Sequence, residues 1–488
     1  MKKTALLVCL LALLLCGAAR PKDTEAADTL IVATDLHYLA PALTDHGPLF
    51  TSLTESSDGK LMRYIEELTD AFLSEVIAQR PAALILTGDL TFNGALLSHT
   101  ALAEKLRDLE KNGVPVYVLP GNHDLNNPGA AAFSGNEYRL VPSAGAEDFR
   151  RIYADFGFDE ALSTDTDSLS YVIQLSETTR LLMLDFNTLH DPCGISDMTL
   201  VWVGEQLAEA QRAGQRVLAA GHQNLLRQTV FTTGYVVSGA TRLADLFRQY
   251  GVSLFLSGHL HCQHWKSEQG ITEIATGALS VSPCPYAVLT LGEKEIRYET
   301  RETDVAARAL TQGWTDPALL DFPQYARDYF DARNRQQNGE LLPLLGYTPE
   351  EVTRMTEYLV LLNRAYFSGD LREAASWDPD GEIYALFGRF PALYTAYLDS
   401  ARPDFGKDFR RWESGTQPQR LPSGSGSCNS TPSSRPIPAP GGSMRSWALR
   451  SSARSPAAFA GRTGTTRTSA PIISSCKLRQ QNYVNKDM

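Results

Sequence analysis

Short apolar runs alternate with amphipathic stretches through the first 300 or so residues, and this alternation predicts the fold class. Apolar, β-branched runs predict strands near residues 30–34, 83–86, 114–119, 171–175, 180–184, 217–220, 254–256, 271–275 and 286–298. Apolar positions at helical spacing predict helices near residues 59–79, 98–112, 197–213 and 241–250. Strands that alternate with helices indicate an α/β sheet. We expect this α/β domain to span residues 28–305.

A different pattern follows in residues 317–412, where apolar residues keep helical spacing but no strand pattern intervenes. Thr348-Pro349-Glu350-Glu351 is typical of a helix start, because a capping threonine precedes proline at the first position and acidic residues in the first turn. These features predict a C-terminal helical domain over residues 315–413. That domain would either stabilise the α/β domain as a cap or shape the entrance to a site there.

The pattern changes again after Glu413, where periodic apolar faces disappear. Residues 414–488 contain ten lysines and arginines against one acidic residue, Asp487, and are rich in serine, proline and glycine. Such a basic, low-complexity tail is typical of a disordered segment, or it would be a basic arm that holds an anionic polymer at the cell surface. The abrupt change favours a third interpretation, in which the end of the gene is read out of frame.

The N-terminal residues have the features of an export signal. Met1-Lys2-Lys3 is basic, and residues 5–15 form an apolar run that is too short for the ~20 residues of a membrane-spanning helix. We therefore predict a signal peptide over residues 1–27. Cys16 is placed like a lipid-modified cysteine, but Leu15 stands where lipoprotein signals have a small residue, so free export is favoured over a lipid anchor. The mature protein is expected outside the cell or attached to its surface.

Composition and charge argue against some classes of function. The 488 residues are 43% hydrophobic and carry a formal net charge of −11, and the length suggests two or three domains. An acidic chain is not expected to bind nucleic acid, which needs a basic face. Seven cysteines are too few for a disulfide scaffold. In an exported protein Cys193 and Cys284 could form a disulfide, or Cys193, Cys262 and Cys284 could all stay unpaired.

Polar residues of a few types follow five of the predicted strands. They are Asp35 with His37, Asp89, Asn122 with His123, His222, and His259 with His261, and they include five of the nine histidines. Residues two apart on an extended segment project to one side, and residues beyond the carboxyl ends of such strands form the usual site of an α/β sheet. Because mixed carboxylate, amide and imidazole ligands suit iron, manganese or zinc, the pattern predicts a metal site.

Taken in order, these blocks resemble the signature of the calcineurin-like metallophosphoesterases. The matching segments are Asp35-Leu36-His37, Gly88-Asp89, Gly121-Asn122-His123-Asp124, Gly221-His222 and Gly258-His259-Leu260-His261. Gly88-Asp89-Leu90-Thr91 followed by Asn93-Gly94 most resembles the bacterial class III cyclic-nucleotide phosphodiesterases, and the exported start resembles their secreted Gram-positive members. The resemblance covers about residues 29–300 and implies a four-layer α/β/β/α sandwich with a C-terminal helical domain.

The resemblance also implies two metal ions that share one carboxylate. Asp35, His37, Asp89 and His261 would bind the first metal, and Asp89, Asn122, His222 and His259 would bind the second, with Asp89 bridging. The metals would be two divalent or mixed-valence ions, iron with manganese, or zinc. They would lower the pKa of a bridging water, and the resulting hydroxide would attack phosphorus. His123 would protonate the leaving oxygen, and Asp124 would orient His123 by accepting a hydrogen bond from its ring.

The implied function is hydrolysis of a small phosphodiester, with cyclic nucleotides as the expected substrates. A phosphomonoesterase or nucleotidase on the same centre is an alternative, and so is a non-catalytic binding protein on the same scaffold. His99 lies early in a predicted helix and is expected to be solvated or to cap that helix rather than to contact substrate. The sequence does not determine the oligomeric state.

Overall fold

The computed structural model describes residues 28–56, 59–188, 193–229, 232, 235–292, 295–370, 385 and 409–412. All of these residues belong to one compact unit. The predicted signal peptide over residues 1–27 and the basic tail over residues 414–488 lie outside the described residues. Among the helices that the structure describes, none has the length and apolar character needed to cross a bilayer.

The described strands are β1 (Asp28–Ala33), β2 (Ala83–Leu86), β3 (Val116–Val118), β4 (Ala131–Ser134), β5 (Glu137–Leu140), β6 (Ser163–Thr164), β7 (Tyr171–Ser176), β8 (Thr179–Leu184), β9 (Arg216–Gly221), β10 (Leu254–Ser257), β11 (His264–Glu268), β12 (Ile271–Ala275), β13 (Pro285–Leu291), β14 (Glu295–Glu302) and β15 (Phe409–Trp412). The first sheet has the order β15-β14-β13-β1-β2-β3, and the second has the order β11-β12-β10-β9-β8-β7-β6. Parallel pairing joins β1 to β2 and β2 to β3 in the first sheet. It also joins β8 to β9, β9 to β10 and β10 to β12 in the second.

The described α-helices are α1 (Pro48–Glu55), α2 (Ile65–Gln79), α3 (Leu96–Lys111), α4 (Ala146–Ile152), α5 (Asp197–Arg212), α6 (Ala240–Tyr250), α7 (Val305–Gln312), α8 (Pro317–Leu320), α9 (Phe322–Leu344) and α10 (Pro349–Ser368). Short 3₁₀ turns lie at Pro41–Leu43 and Met62–Tyr64. Helices α2 and α3 share a core with the first sheet, and α5 and α6 share a core with the second.

The two large sheets face each other across a common core. Side chains that alternate along β8 show this, because Leu181 and Met183 belong to the core shared with the first sheet. Leu182 and Leu184 point the other way and pack with α5 and α6. Alternate side chains of a strand project to opposite faces, so both faces of the second sheet are covered. The predicted four-layer α/β/β/α fold is confirmed.

The predicted elements differ from the observed ones mainly at their ends. The helix predicted from residue 59 begins at Ile65, after the 3₁₀ turn Met62–Tyr64. Strand β3 begins at Val116 rather than at residue 114, because Pro115 has no backbone N–H for the ladder. The strand pattern near residues 286–298 is two antiparallel strands, β13 and β14.

The C-terminal pattern forms helices as predicted, with one correction. Thr348 caps α10 in a capping box with Glu351, whose carboxylate accepts the Thr348 backbone N–H at 2.7 Å. At the other end of the predicted helical region, however, β15 is a strand that pairs with β14. The helical pattern therefore does not continue through residues 409–412. The helices expected near residues 383–397 lie outside the described residues, apart from residue 385.

Helices α9 and α10 pack against a segment behind the strand ends of both sheets. Phe330 of α9 lies in a small cluster with Ala278 and Val281, and Phe367 of α10 packs against the same cluster. The ring centroids of Phe330 and Phe367 are 5.1 Å apart. The carbonyl of Phe367 also accepts the backbone N–H of Gln263 at 2.9 Å. The helical pair therefore supports this segment from outside, which agrees with a stabilising role.

We predict that Phe330→Ala lowers the free energy of unfolding by about 3–5 kcal/mol, because it leaves a cavity under the segment that contains Ala278 and Val281. Urea unfolding of the full chain, followed by circular dichroism, measures this change. Leu344→Ala is the control, since Leu344 is 83% exposed near the end of the same helix and its loss should stay within about 0.5 kcal/mol. Equal effects of the two substitutions would contradict the described packing.

Candidate metal centre

The predicted ligand residues lie in loops just beyond the carboxyl ends of the parallel strands. Asp35 and His37 follow β1, Asp89 follows β2, and Asn122 follows β3. In the second sheet, His222 follows β9, and His259 and His261 follow β10. Because the two sheets share a core, their strand ends bring these loops together at one edge of the sandwich.

The backbone of these loops is not extended, as the sequence analysis had assumed. Asp35, His37, Asp89, His259 and His261 all have left-handed backbone conformations, with φ of 53°, 48°, 47°, 69° and 59°. They are therefore not neighbours on an extended segment, and the period-two argument for the two pairs is wrong. Aspartate and histidine tolerate this region better than most residues, but each such residue still costs about 1–3 kcal/mol. The surrounding contacts must hold the loops in place.

Two glycines next to ligand residues allow the loops to approach closely. A Cβ on Gly121 would lie 2.2 Å from both the backbone nitrogen and Oδ1 of Asp89. A Cβ on Gly258 would lie 2.0 Å from Oγ1 of Thr34 and 2.8 Å from Oδ2 of Asp35. No side chain can be accommodated at either position without moving a ligand loop, which explains the glycine before Asn122 and before His259.

The first group of ligand atoms is compact. One donor atom from each of Asp35, His37, Asp89 and His261 lies within 4.8 Å of the others. Nε2 of His261 is 3.2 Å from Oδ1 of Asp35 and 3.3 Å from Nε2 of His37. Nε2 of His37 is also 3.7 Å from Oδ2 of Asp89. This is the residue set predicted for the first metal.

The second group adjoins the first through the same carboxylate. Nε2 of His222 lies 3.4 Å from Oδ2 of Asp89 and 3.2 Å from Oδ1 of Asn122. The ring of His259 packs against His222 with centroids 5.0 Å apart. Nδ1 of His222 is 2.8 Å from the carbonyl of Thr87, so Nε2 is the atom directed to the group. Asp89 thus faces both groups with one oxygen.

The electrostatics of these buried residues fit bound cations. Oδ1 of Asp35 is buried without a hydrogen-bond partner. Burial by itself raises the pKa of Asp35, but the charges of His261 and His222 outweigh it and hold that pKa well below its ordinary value. Burial likewise raises the pKa of Asp89, and His222 and His123 more than reverse this effect. Both carboxylates are therefore ionised in a setting that requires positive charge.

The two imidazoles of the second group have pKa values shifted in opposite directions. Burial lowers the pKa of His222, but Asp89 and Asp35 outweigh it and raise that pKa to about 9. Burial lowers the pKa of His259 to about 3. The proton on His222 thus balances part of the carboxylate charge, and divalent cations bound by the same atoms would replace it. The donor set of carboxylate, amide and imidazole groups fits transition-metal ions.

His123 lies at the edge of the centre. Its Nε2 is 3.9 Å from Oδ2 of Asp89, and its side chain is 22% exposed, unlike the buried Asp89. Its Nδ1 is 3.0 Å from the carbonyl of Phe92. Since a carbonyl only accepts, Nδ1 carries the proton and Nε2 faces the centre.

The predicted contact between Asp124 and His123 is wrong. The carboxylate of Asp124 is buried and accepts the backbone N–H groups of Leu90, Thr91 and Gly121 at 3.0, 2.9 and 2.8 Å. Asp124 therefore ties the loop after β2 to the loop after β3, and the carbonyl of Phe92 orients His123 instead. A neighbouring position in sequence suggested the contact, but the side chains of Asp124 and His123 have different partners.

The prediction for His99 is also wrong, because this residue is neither solvated nor a helix cap. It is fully buried in α3, where Nδ1 is 3.0 Å from the hydroxyl of Tyr153 and Nε2 is 3.0 Å from the carbonyl of Asp124. Among the described residues, Cys193, Cys262 and Cys284 form no disulfide, so the bond considered between Cys193 and Cys284 is not found.

Three residues near the centre were not found from the sequence. Thr34 donates to Oδ2 of Asp35 at 2.7 Å, and the ring of Tyr235 packs on His259 with centroids 5.0 Å apart. Lys60 is also buried. Burial of His37 is the main cause that lowers the pKa of that residue, and the charge of Lys60 is the second cause. Thr34 could have been found because it directly precedes a motif residue. Nothing in the local pattern marks Lys60 or Tyr235.

The geometry agrees with two family models that match the chain. The model for calcineurin-like phosphoesterases matches residues 29–263. The model for the C-terminal domain of cyclic nucleotide phosphodiesterase matches residues 304–408. The first match contains all the ligand residues of both groups, and the second contains helices α7 to α10.

Among curated proteins, the chain is similar to one from Arcobacter nitrofigilis named probable glycerophosphodiester phosphodiesterase GpdQ. The two are 27% identical over 186 residues, which is 37% of this chain and 57% of the relative. A protein from Vesicomyosocius okutanii named probable cyclic nucleotide phosphodiesterase is 40% identical over 53 residues, which is 11% of this chain and 22% of the relative. The matches thus span little more than half, or less, of these relatives.

Among solved structures, a dimetal phosphatase from Danio rerio is 15% identical, with a TM-score of 0.43 over 57% of this chain and 97% of that one. A purple acid phosphatase from Lupinus luteus seeds is 14% identical, with a TM-score of 0.39 over 57% of this chain and 52% of that one. The family models, together with the loops at the strand ends, lead to one conclusion: residues 29–263 form a calcineurin-like phosphoesterase domain, and residues 304–408 form a C-terminal domain of the cyclic nucleotide phosphodiesterase type.

Proposed function

We propose that the chain hydrolyses phosphodiesters, with cyclic nucleotides as its substrates, at a centre of two metal ions. The observation that carries this proposal is the position of Asp89, whose Oδ2 lies 3.7 Å from Nε2 of His37 and 3.4 Å from Nε2 of His222. One carboxylate oxygen is thus within reach of both groups. Two cations held there would supply an activated water and neutralise charge on the phosphate.

The residues of the two groups would have the roles of metal ligands. Asp35, His37, Asp89 and His261 would hold one ion, and Asp89, Asn122, His222 and His259 the other. Iron with manganese, or zinc, suits this donor set. Four of these side chains are buried, namely Asp35, His37, Asp89 and His222, so charge interactions among them are screened less than at the surface. The other three, Asn122, His259 and His261, are partly exposed.

His123 would act on the leaving group. The carbonyl of Phe92 accepts from Nδ1 and fixes the ring so that Nε2 faces the centre. In its imidazolium form His123 donates the Nε2 proton to the departing oxygen, or stabilises the charge that develops there. Its partly exposed side chain is consistent with contact to a substrate that enters from solvent.

The choice of diesters, and of cyclic nucleotides among them, is supported by two observations. The C-terminal family model belongs to cyclic nucleotide phosphodiesterases, and the Gly88-Asp89-Leu90-Thr91 segment with Asn93-Gly94 resembles those enzymes. We also propose that the chain acts after export, because its N-terminal residues have the pattern of a signal peptide.

We predict that the full chain, loaded with Mn²⁺ or Zn²⁺, hydrolyses cyclic nucleotides and bis(4-nitrophenyl) phosphate faster than 4-nitrophenyl phosphate and nucleoside monophosphates. Comparison of kcat/KM over this panel is the measurement. A chelator should abolish the activity and added metal should restore it, because the cations provide the activated water. Faster hydrolysis of the monoesters would favour a phosphomonoesterase instead, and metal binding without turnover would favour a binding protein.

Asp89→Asn should lower the bound metal from two ions per chain to one or fewer and reduce kcat by at least ~10²-fold, since each cation contributes several kcal/mol of charge stabilisation. Elemental analysis of the purified protein and steady-state kinetics measure these two effects. Asp45→Asn is the control, because Asp45 is an exposed carboxylate bound to the backbone of Gly135. Two ions retained in Asp89→Asn would contradict a shared ligand.

His123→Ala should lower kcat by about 10²–10⁴-fold for cyclic nucleotides, because the departing alkoxide needs a proton. The loss should be much smaller for bis(4-nitrophenyl) phosphate, whose leaving group is already stable as an anion. Metal content should stay at two ions. His46→Ala, at an exposed loop position, should change neither value. An equal loss of metal and activity in His123→Ala would remove the assignment to the leaving group.

A further inference from the structure

Glu273 is a buried carboxylate in the middle of β12 that the proposed mechanism does not use. It is fully buried, and its side chain accepts four hydrogen bonds. Oε1 accepts from the hydroxyl of Ser257 at 2.7 Å, from the amide of Asn224 at 3.0 Å and from the backbone N–H of Leu225 at 3.2 Å. Oε2 accepts from the backbone N–H of Leu226 at 2.5 Å. Each of these four partners is a donor, so both carboxylate oxygens act as acceptors.

These donors belong to the two loops that carry the imidazoles of the second group. Asn224, Leu225 and Leu226 stand two to four positions after His222 in the loop that follows β9. Ser257 is the last residue of β10 and stands two positions before His259. One carboxylate therefore joins the loop of His222 to the loop of His259.

Asn224 extends the same network to a third segment. Its side-chain amide donates to Ser257 Oγ at 3.0 Å as well as to Glu273. Its backbone N–H donates to the carbonyl of Tyr235 at 3.2 Å, and its carbonyl accepts the N–H of Val237 at 2.9 Å. The ring of Tyr235 packs on His259. The network thus reaches His259 from its own loop and from the residue that packs on its ring.

The fold alone gives no reason for a carboxylate at this position. The other residues of β12 are buried, and three of the four are apolar, so an apolar side chain would suit the sheet at least as well. A buried carboxylate is costly unless hydrogen bonds compensate for its lost hydration. Three of its four bonds hold atoms of the loop after β9, and the fourth holds Ser257 at the very end of β10, which indicates a role in fixing the loops.

We propose that Glu273 is a positioning residue for the second metal, which it does not touch. The inference rests on the proposed function, since it assumes that His222 and His259 bind an ion. Loss of the carboxylate would loosen both imidazoles together and weaken the second ion. The first ion would be weakened much less, because only one of its four ligands, His261, lies in the loop that follows Ser257.

Glu273→Gln tests the proposal with little change in side-chain size. The amide keeps one acceptor oxygen, but its NH₂ group must face donors, either the N–H of Leu226 or the groups around Ser257. Titration of the metal-free full chain with Mn²⁺ gives the affinity of each ion, and electron paramagnetic resonance detects the coupled pair. We expect the second ion to bind about 10–100-fold more weakly and the first to lose much less affinity. Activity should return at high Mn²⁺.

Two further variants make the result decisive. Ser257→Ala removes one donor and should weaken the second ion by a smaller factor, even if Glu273→Gln does not fold. Glu75→Gln is the matched control, because Glu75 accepts from Tyr286 and from the N–H of Asp304 away from the centre and should leave both affinities unchanged. Equal weakening of both ions in Glu273→Gln or Ser257→Ala, or no weakening in either, would overturn the proposal. A wild-type chain that binds two ions but cleaves no phosphodiester would reject the proposed function. The titration would still show whether Glu273 affects the affinity of the second ion.

Discussion

Two ionised carboxylates, Asp35 and Asp89, lie almost without solvent between two β-sheets, and the structure around them is arranged to compensate for that charge. Removal of a carboxylate from water costs several kcal/mol unless it gains cationic partners and hydrogen bonds. Thr34 and the backbone N–H of His259 donate to Asp35, and the backbone N–H of His123 donates to Asp89. The remaining oxygens face imidazoles, and these are the atoms that cations would bind. The charge requirement thus explains the surrounding groups and supports the proposed pair of cations.

The carboxylates are held by loops whose backbone conformations are energetically unfavourable. Left-handed aspartate and histidine residues and glycines without room for a Cβ occur together in the loops after β1, β2, β3 and β10. Two further buried carboxylates, which are not among the predicted ligands, stabilise these loops. Asp124 joins the loops after β2 and β3 in the first sheet, and Glu273 joins those after β9 and β10 in the second. Each sheet therefore carries its own support for its half of the centre.

The helical pair α9 and α10 supports the centre from a third direction. The cluster around Phe330 lies against the segment from Ala278 to Val281. Within that segment, the N–H of Ala278 donates to the carbonyl of His261, and the hydroxyl of Ser280 donates to the carbonyl of Asp35. A region that appears in the sequence as a separate helical domain is thus connected, through this segment, to the loops that contain Asp35 and His261. The helical pair thus affects the loop of His261 although α9 begins more than sixty residues later in the chain.

The sequence by itself determined the alternation of strands and helices, the capped start of α10 and the set of residues at the strand ends, because these depend on local periodicity and on residue type. It did not determine how the loops turn. The period-two argument for His259 with His261 assumed an extended segment, and the pairing of Asp124 with His123 assumed that neighbours in sequence face one another. Only the tertiary structure decided that Asp124 and Glu273 each join two loops, that His99 is buried, and that β15 returns to the first sheet. Hydrogen bonds between residues that are tens of positions apart depend on how the two sheets pack, and no local pattern in the chain encodes that packing.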